Sequence, residues 1–123
     1  MMKSYLLLFA LLCSGLALAH HSVANFDMDR YVTISGTVNK LEWTNPHMWL
    51  WVDVTAEDGT VEHWGMEGAS PANMKRRLGW SKNTVSTGDK VTVKLHPFRD
   101  DHPGGSLYQI TLPDGSVIGG SGR

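Results

Sequence analysis

Apolar residues fall in two kinds of pattern along this chain: one unbroken run near the start, then alternations of period two. The run, Tyr5 to Leu12, follows Met1-Met2-Lys3 and precedes Ala17-Leu18-Ala19. A basic start, a short apolar stretch and a small-x-small triplet read as a secretory leader cut after Ala19. The stretch is shorter than the roughly 20 apolar residues that a spanning helix needs. The expected organisation is a leader over residues 1–19 and a single domain over residues 20–123. A periplasmic or secreted location follows, with no transmembrane segment in the mature chain.

Beyond the leader, Val32, Ile34 and Val38 fall on one side of a first strand, and Thr33, Ser35 and Thr37 on the other. Leu41 and Trp43 break that parity, which predicts a bulge or bend near Lys40. Thr44-Asn45-Pro46 is a turn. Met48 to Thr55 reads as a second strand, apolar on both faces, and Asp58-Gly59 closes a hairpin into a third, Val61 to Glu67. A short helix follows, with Ser70 as its cap, Pro71 in its first turn and Gly79 as its left-handed stop. Trp80, just past that stop, is placed to pack back on Met74, and Lys75-Arg76-Arg77 complements the helix dipole in the last turn. Val91 to Leu95 and Leu107 to Leu112 are the fourth and fifth strands. A loop rich in proline, glycine and aspartate, His96 to Gly105, joins them, and Pro113-Asp114-Gly115 turns into a short tail.

Three strands, a helix and two strands predict an all-β fold: a five-stranded OB-fold-like Greek-key barrel with one short helix between strands 3 and 4. In such a barrel strand one pairs with strand four. A half-open sandwich is the alternative, although that architecture usually has about seven strands. Two hairpin registers remain open. A two-residue Asp58-Gly59 turn sets Trp51 opposite Met66 and brings Trp64 to its face. A three-residue turn with a glycine bulge sets Trp51 opposite Gly65 and brings His63 and Glu67 there instead. A slip of one residue exchanges the two faces, and Gly59 suits both turns.

Composition narrows the function classes. Removing 19 of 123 residues leaves 104, enough for one domain. Lys3 departs with the leader, so the mature chain carries 10 basic and 12 acidic residues, which is not the footprint of a nucleic-acid binder. The single cysteine, Cys13, lies in the leader behind Leu12, where a lipid-attachment signal has a small residue. A domain without disulfides depends on its core, and Trp43, Trp49, Trp51, Trp64 and Trp80 supply much of the area.

Ala19-His20-His21-Ser22, Phe26-Asp27-Met28-Asp29, Trp43-Thr44-Asn45-Pro46-His47, Gly68-Ala69-Ser70-Pro71, Arg77-Leu78-Gly79-Trp80 and His96-Pro97-Phe98-Arg99-Asp100 followed by Pro103-Gly104-Gly105 resemble a family of short secreted bacterial proteins with no assigned function. The resemblance spans nearly the whole mature chain. It implies export and a small all-β domain, and brings no activity with it. Gly36-Thr37-Val38 and Thr87-Gly88-Asp89-Lys90-Val91 are also loosely similar to periplasmic OB-fold proteins.

In an OB-fold, ligands bind the face of strands 2 and 3 between the loops joining strands 1–2 and 4–5. Asn45 and His47 lie in the first loop, and His96, Arg99 and His102 in or beside the second. Trp49 and Trp51 share the face of His47, because side chains alternate along a strand. These seven residues form the expected ligand site, an aromatic platform framed by polar groups. The competing reading buries Trp49 and Trp51 in the core and leaves Met48, Leu50, Val52 and Val54 outside.

Cleavage after Ala19 would also create a terminus starting His20-His21. Amine, backbone amide and imidazole can chelate one ion, and such nitrogen donors suit Cu(II). His47, His63, His96 or His102 could add a ligand. No zinc-binding spacing, nucleophile elbow or phosphate-binding glycine loop is present. The expectation is a non-enzymatic binding module for a small ligand or a periplasmic protein. The alternatives are a copper-binding protein using His20 and His21, and a structural or partner-docking module using the tryptophan face.

Overall fold

The computed structural model describes residues 24–120, so the expected leader, its expected cleavage site and the His20-His21 pair lie outside the described residues. Among the described residues the elements run β1 (Val32–Glu42), β2 (Trp49–Thr55), β3 (Val61–Glu67), α1 (Pro71–Leu78), β4 (Lys90–Pro97), β5 (Gly104–Thr111) and β6 (Val117–Gly119). The sheet runs β3-β2-β1-β4-β5-β6, and a further parallel pairing of β3 with β5 closes the first five strands into a barrel. Strand β1 pairs antiparallel with β4, and α1 sits between β3 and β4 as the strand order predicts.

Closure happens where the chain has no side chains to obstruct it. Gly65 stands opposite Gly104 in the parallel ladder, and a Cβ on Gly104 would collide with the Gly65 carbonyl. Gly104 also holds a φ of 136°, a region that other residues rarely enter. The glycine pair lets two strands approach that would otherwise be kept apart.

The barrel interior is filled from alternate positions. Met48, Leu50, Val52, Met66, Val93, Leu95, Leu107 and Ile110 are completely buried. Trp49 and Trp51, one step out of phase, are half-buried on the outer face, so the inner set is the one with Met48. The register between β2 and β3 sets Trp51 against Gly65, the outcome of the three-residue turn. Ala56 and Thr60 close that turn with a 2.8 Å backbone bond, and Gly59 takes the left-handed conformation at φ 85°. The predicted bulge in β1 is present as well, since Val38 pairs with Val52 but Lys40 with Trp51. Asn39 is the extra residue, and it turns Lys40 and Glu42 to the outer face.

Helix α1 closes one end of the barrel. The Ser70 hydroxyl accepts the Asn73 N–H at 3.3 Å, Pro71 opens the first turn, and Gly79 takes φ 74°. Met74 and Trp80 both belong to the core, and the Trp80 indole N–H donates to the Gly119 carbonyl at 2.8 Å. That bond ties the end of the helix to β6. Here the structure differs from the sequence reading: the expected tail is a sixth strand paired to β5. Among the described residues no helix is long and apolar enough to cross a membrane.

Candidate functional site

Three strands and one loop build the outer face that carries the tryptophans. From β2, Trp49 and Trp51 project side by side with ring centroids 6.0 Å apart and planes at 22°. Trp51 faces Gly65 across the ladder. A Cβ there would come within 2.7 Å of the Trp51 ring, so the indole occupies the space that the glycine leaves. From β1, Lys40 places its ammonium 5.6 Å from the centre of the Trp51 ring and 2.8 Å from the Glu42 carboxylate. The Lys40 hydrogen bond is the main cause that holds Glu42 below the usual carboxylate range.

Across from the indoles, the β4–β5 loop supplies Phe98, His102 and Pro103. With Glu42, Trp49, Trp51, His63 and Gly65 these residues line an open cleft of about 510 Å³. Its polar groups come as pairs. Nδ1 of His63 lies 2.6 Å from an oxygen of Asp53, whose other oxygen accepts from the Asn39 amide at 3.1 Å. Those bonds, Asn39 first and His63 second, hold the Asp53 carboxyl below its ordinary range. From the β4–β5 loop, Nδ1 of His102 lies 2.5 Å from Asp100, and its ring stacks on Phe98 with centroids 3.9 Å apart. The bond from His102 is likewise the largest cause lowering the Asp100 carboxyl.

The predicted site residues are therefore brought together in part. Trp49, Trp51 and His102 line the cleft. His47 shares their face but sits beyond it, its Nδ1 2.9 Å from the Gly68 carbonyl and 3.3 Å from Glu67. Asn45 is exposed in the turn before β2 and is not part of the cleft wall. Arg99 turns away from the indoles: its Nε donates to the Ala24 carbonyl at 2.8 Å, and its backbone N–H to the Asn25 carbonyl at 2.9 Å. It lines a neighbouring hollow of about 420 Å³ that shares Phe98 and His102 with the cleft.

His96 lies apart from the cleft. It is only 3% exposed, with Nδ1 3.0 Å from the Arg30 carbonyl and the rings of Tyr31 and Tyr108 packed over it. It extends β4 instead of opening the loop, and its ring goes into an aromatic cluster capped by the Lys94 ammonium, 4.3 Å from the Tyr31 ring. Spacing alone could not reveal this, because the covering rings come from residues 31 and 108.

Glu42, Phe98 and Pro103 are cleft residues that sequence reasoning missed. For Glu42 the signal was present: the parity break that predicts a bulge before Leu41 also sends Glu42 outward. Phe98 carried no such signal, since an aromatic in an irregular loop has no periodicity to orient it.

Among the described residues, no three His, Cys, Asp or Glu side chains are grouped as a complete metal site. No curated protein and no solved structure matches the chain. The sequence model of a family of unknown function (DUF6152) matches residues 10–107, most of the chain, and the chain belongs to that family.

Proposed function

We propose that this protein is an exported, non-enzymatic binding module that holds a small ligand in the cleft of Trp49 and Trp51. One observation carries the reading: two large indoles stand half-buried on the outside of the barrel while Met48, Leu50 and Val52, which alternate with them, fill its core. Placing tryptophan outward leaves apolar area in contact with water, which suits a ligand with a flat or apolar face. Glu42, His63 and His102 give that ligand polar partners at the rim. The leader-like start of the chain supports the exported location.

The test is to isolate the exported protein gently and identify the small molecules that come with it by mass spectrometry. Trp51→Ala should lose them while remaining folded. Retention of the same compounds by the folded variant would refute the cleft.

The second reading, a copper-binding protein using His20 and His21, is favoured by the anchoring of Ala24 and Asn25 on Arg99, beside His102. Only Ser22 and Val23 separate His21 from Ala24 along the chain. Chelation by the terminus should weaken strongly when one alanine is added before His20. Unchanged copper affinity in that extended protein would exclude it.

A further inference from the structure

The two imidazoles of the cleft are placed together by the strand pairing that closes the barrel. Gly65 opposes Gly104 in parallel register, and the Gly65 N–H reaches the Pro103 carbonyl at 3.4 Å. Two residues before each of these glycines stand His63 and His102, so the same closure brings both to one side, and both line the cleft. They are accessible, with side chains 68% and 55% exposed.

Each imidazole is oriented from behind by its own carboxylate. An ionised carboxylate only accepts, so Asp53 and Asp100 each fix the proton on Nδ1 of their histidine. The other nitrogen, Nε2, keeps its lone pair and is free of the bond that sets the tautomer. A carboxylate behind a histidine is the usual support of a metal-bound imidazole, fixing the ring and raising its basicity as a ligand. Here the support occurs twice, with the Asn39 amide steadying one carboxylate and the Phe98 ring holding the other imidazole flat.

We infer that His63 and His102 bind a first-row transition-metal ion through their Nε2 atoms, with Cu(II) as the preferred ion. Two neutral nitrogen donors favour copper over the hard cations, and Cu(II) is the strongest binder of the divalent series. Remaining positions on the ion are left to water or to the ligand that the cleft holds. This site differs from a chelate at the amino terminus, since its imidazoles come from β3 and the β4–β5 loop. It rests on the proposed cleft being a binding site, and it specifies what one wall of that site recognises.

The experiment adds Cu(II) alone to the exported protein as processed in the cell. Quenching of tryptophan fluorescence is read, because Trp49 and Trp51 line the same cleft. One equivalent should quench a large part of the emission. His63→Ala and His102→Ala should each weaken binding at least about tenfold, and Asp53→Asn or Asp100→Asn about tenfold through loss of the carboxylate support. All four side chains are at the surface, and His63→Gln with His102→Gln repeats the test with smaller changes. An added alanine before His20 should leave the quenching in place. Wild-type affinity in the folded His63→Ala, His102→Ala double variant would overturn the inference, as would a loss confined to the alanine-extended chain. A protein that ignores copper yet still copurifies a compound in a Trp51-dependent way would overturn the metal and leave the cleft standing.

Discussion

Trp51 and Trp80 are the same side chain put to opposite uses. Trp80 is 1% exposed, sits in the core and satisfies its N–H on Gly119, whereas Trp51 lies half-buried over a glycine on the barrel's outside. Truncating a buried tryptophan to alanine typically costs about 3–5 kcal/mol, and a half-exposed one should cost well under that. Urea melts should therefore show a large loss for Trp80→Ala and losses of about 1–2 kcal/mol for Trp49→Ala and Trp51→Ala. Equal losses at all three would put the platform tryptophans in the core. Gly65 offers a complementary check. Gly65→Val inserts atoms where the Trp51 ring lies, so it should displace the indole, shift its fluorescence toward the red and cost about 1–3 kcal/mol. Unchanged emission would contradict the contact.

At the scale of elements, the parts that could be read in advance are those with local causes. Helix α1 is bounded by Ser70, Pro71 and Gly79, each of which acts within a few residues of its own position. Ser70→Ala should cost about 1 kcal/mol through loss of the capping bond, measurable as a lowered urea midpoint. No change would mean that the cap carries no stability. The β1 bulge was legible for the same reason, since Leu41 and Trp43 fall out of phase within one strand. The β2–β3 register was not, because Gly59 suits two turns. What decides it includes the Asp58 carboxylate, which accepts the Thr60 N–H at 2.9 Å, and the space over Gly65 that only this register offers Trp51. Strand β6 escaped because three residues make no pattern; it is defined by pairing to β5 and by the indole of Trp80.

Across the whole molecule, the candidate site was half legible. The order of elements predicts a barrel, and a barrel predicts which strands carry the ligand face, so Trp49, Trp51 and His102 follow from topology. The places of His96 and Arg99 depend on contacts with Tyr31, Tyr108, Ala24 and Asn25, which no local spacing encodes. Charge adds a property of the same scale. Hydrogen bonds hold Glu42, Asp53, Asp58, Asp100 and Asp114 below their ordinary range. A carboxylate lowered on folding contributes stability above its unfolded value, near pH 4, and loses it as pH falls through the folded value. The urea midpoint should thus stay level as regards these groups from about pH 7 to 5 and drop below about pH 4. A midpoint that rises on acidification would contradict these hydrogen bonds. The central claim, that the cleft between the β2 indoles and the β4–β5 loop is where this protein binds its ligand, has a direct test in two-dimensional NMR. The spectrum of the protein would be recorded before and after adding the small-molecule fraction of the cells that make it. The account predicts that the indole signals of Trp49 and Trp51 and the ring signals of His63 and His102 move together while those of Trp80 stay still. Shifts gathered instead around Tyr31, His96 and Tyr108, or no shift at the platform, would contradict it.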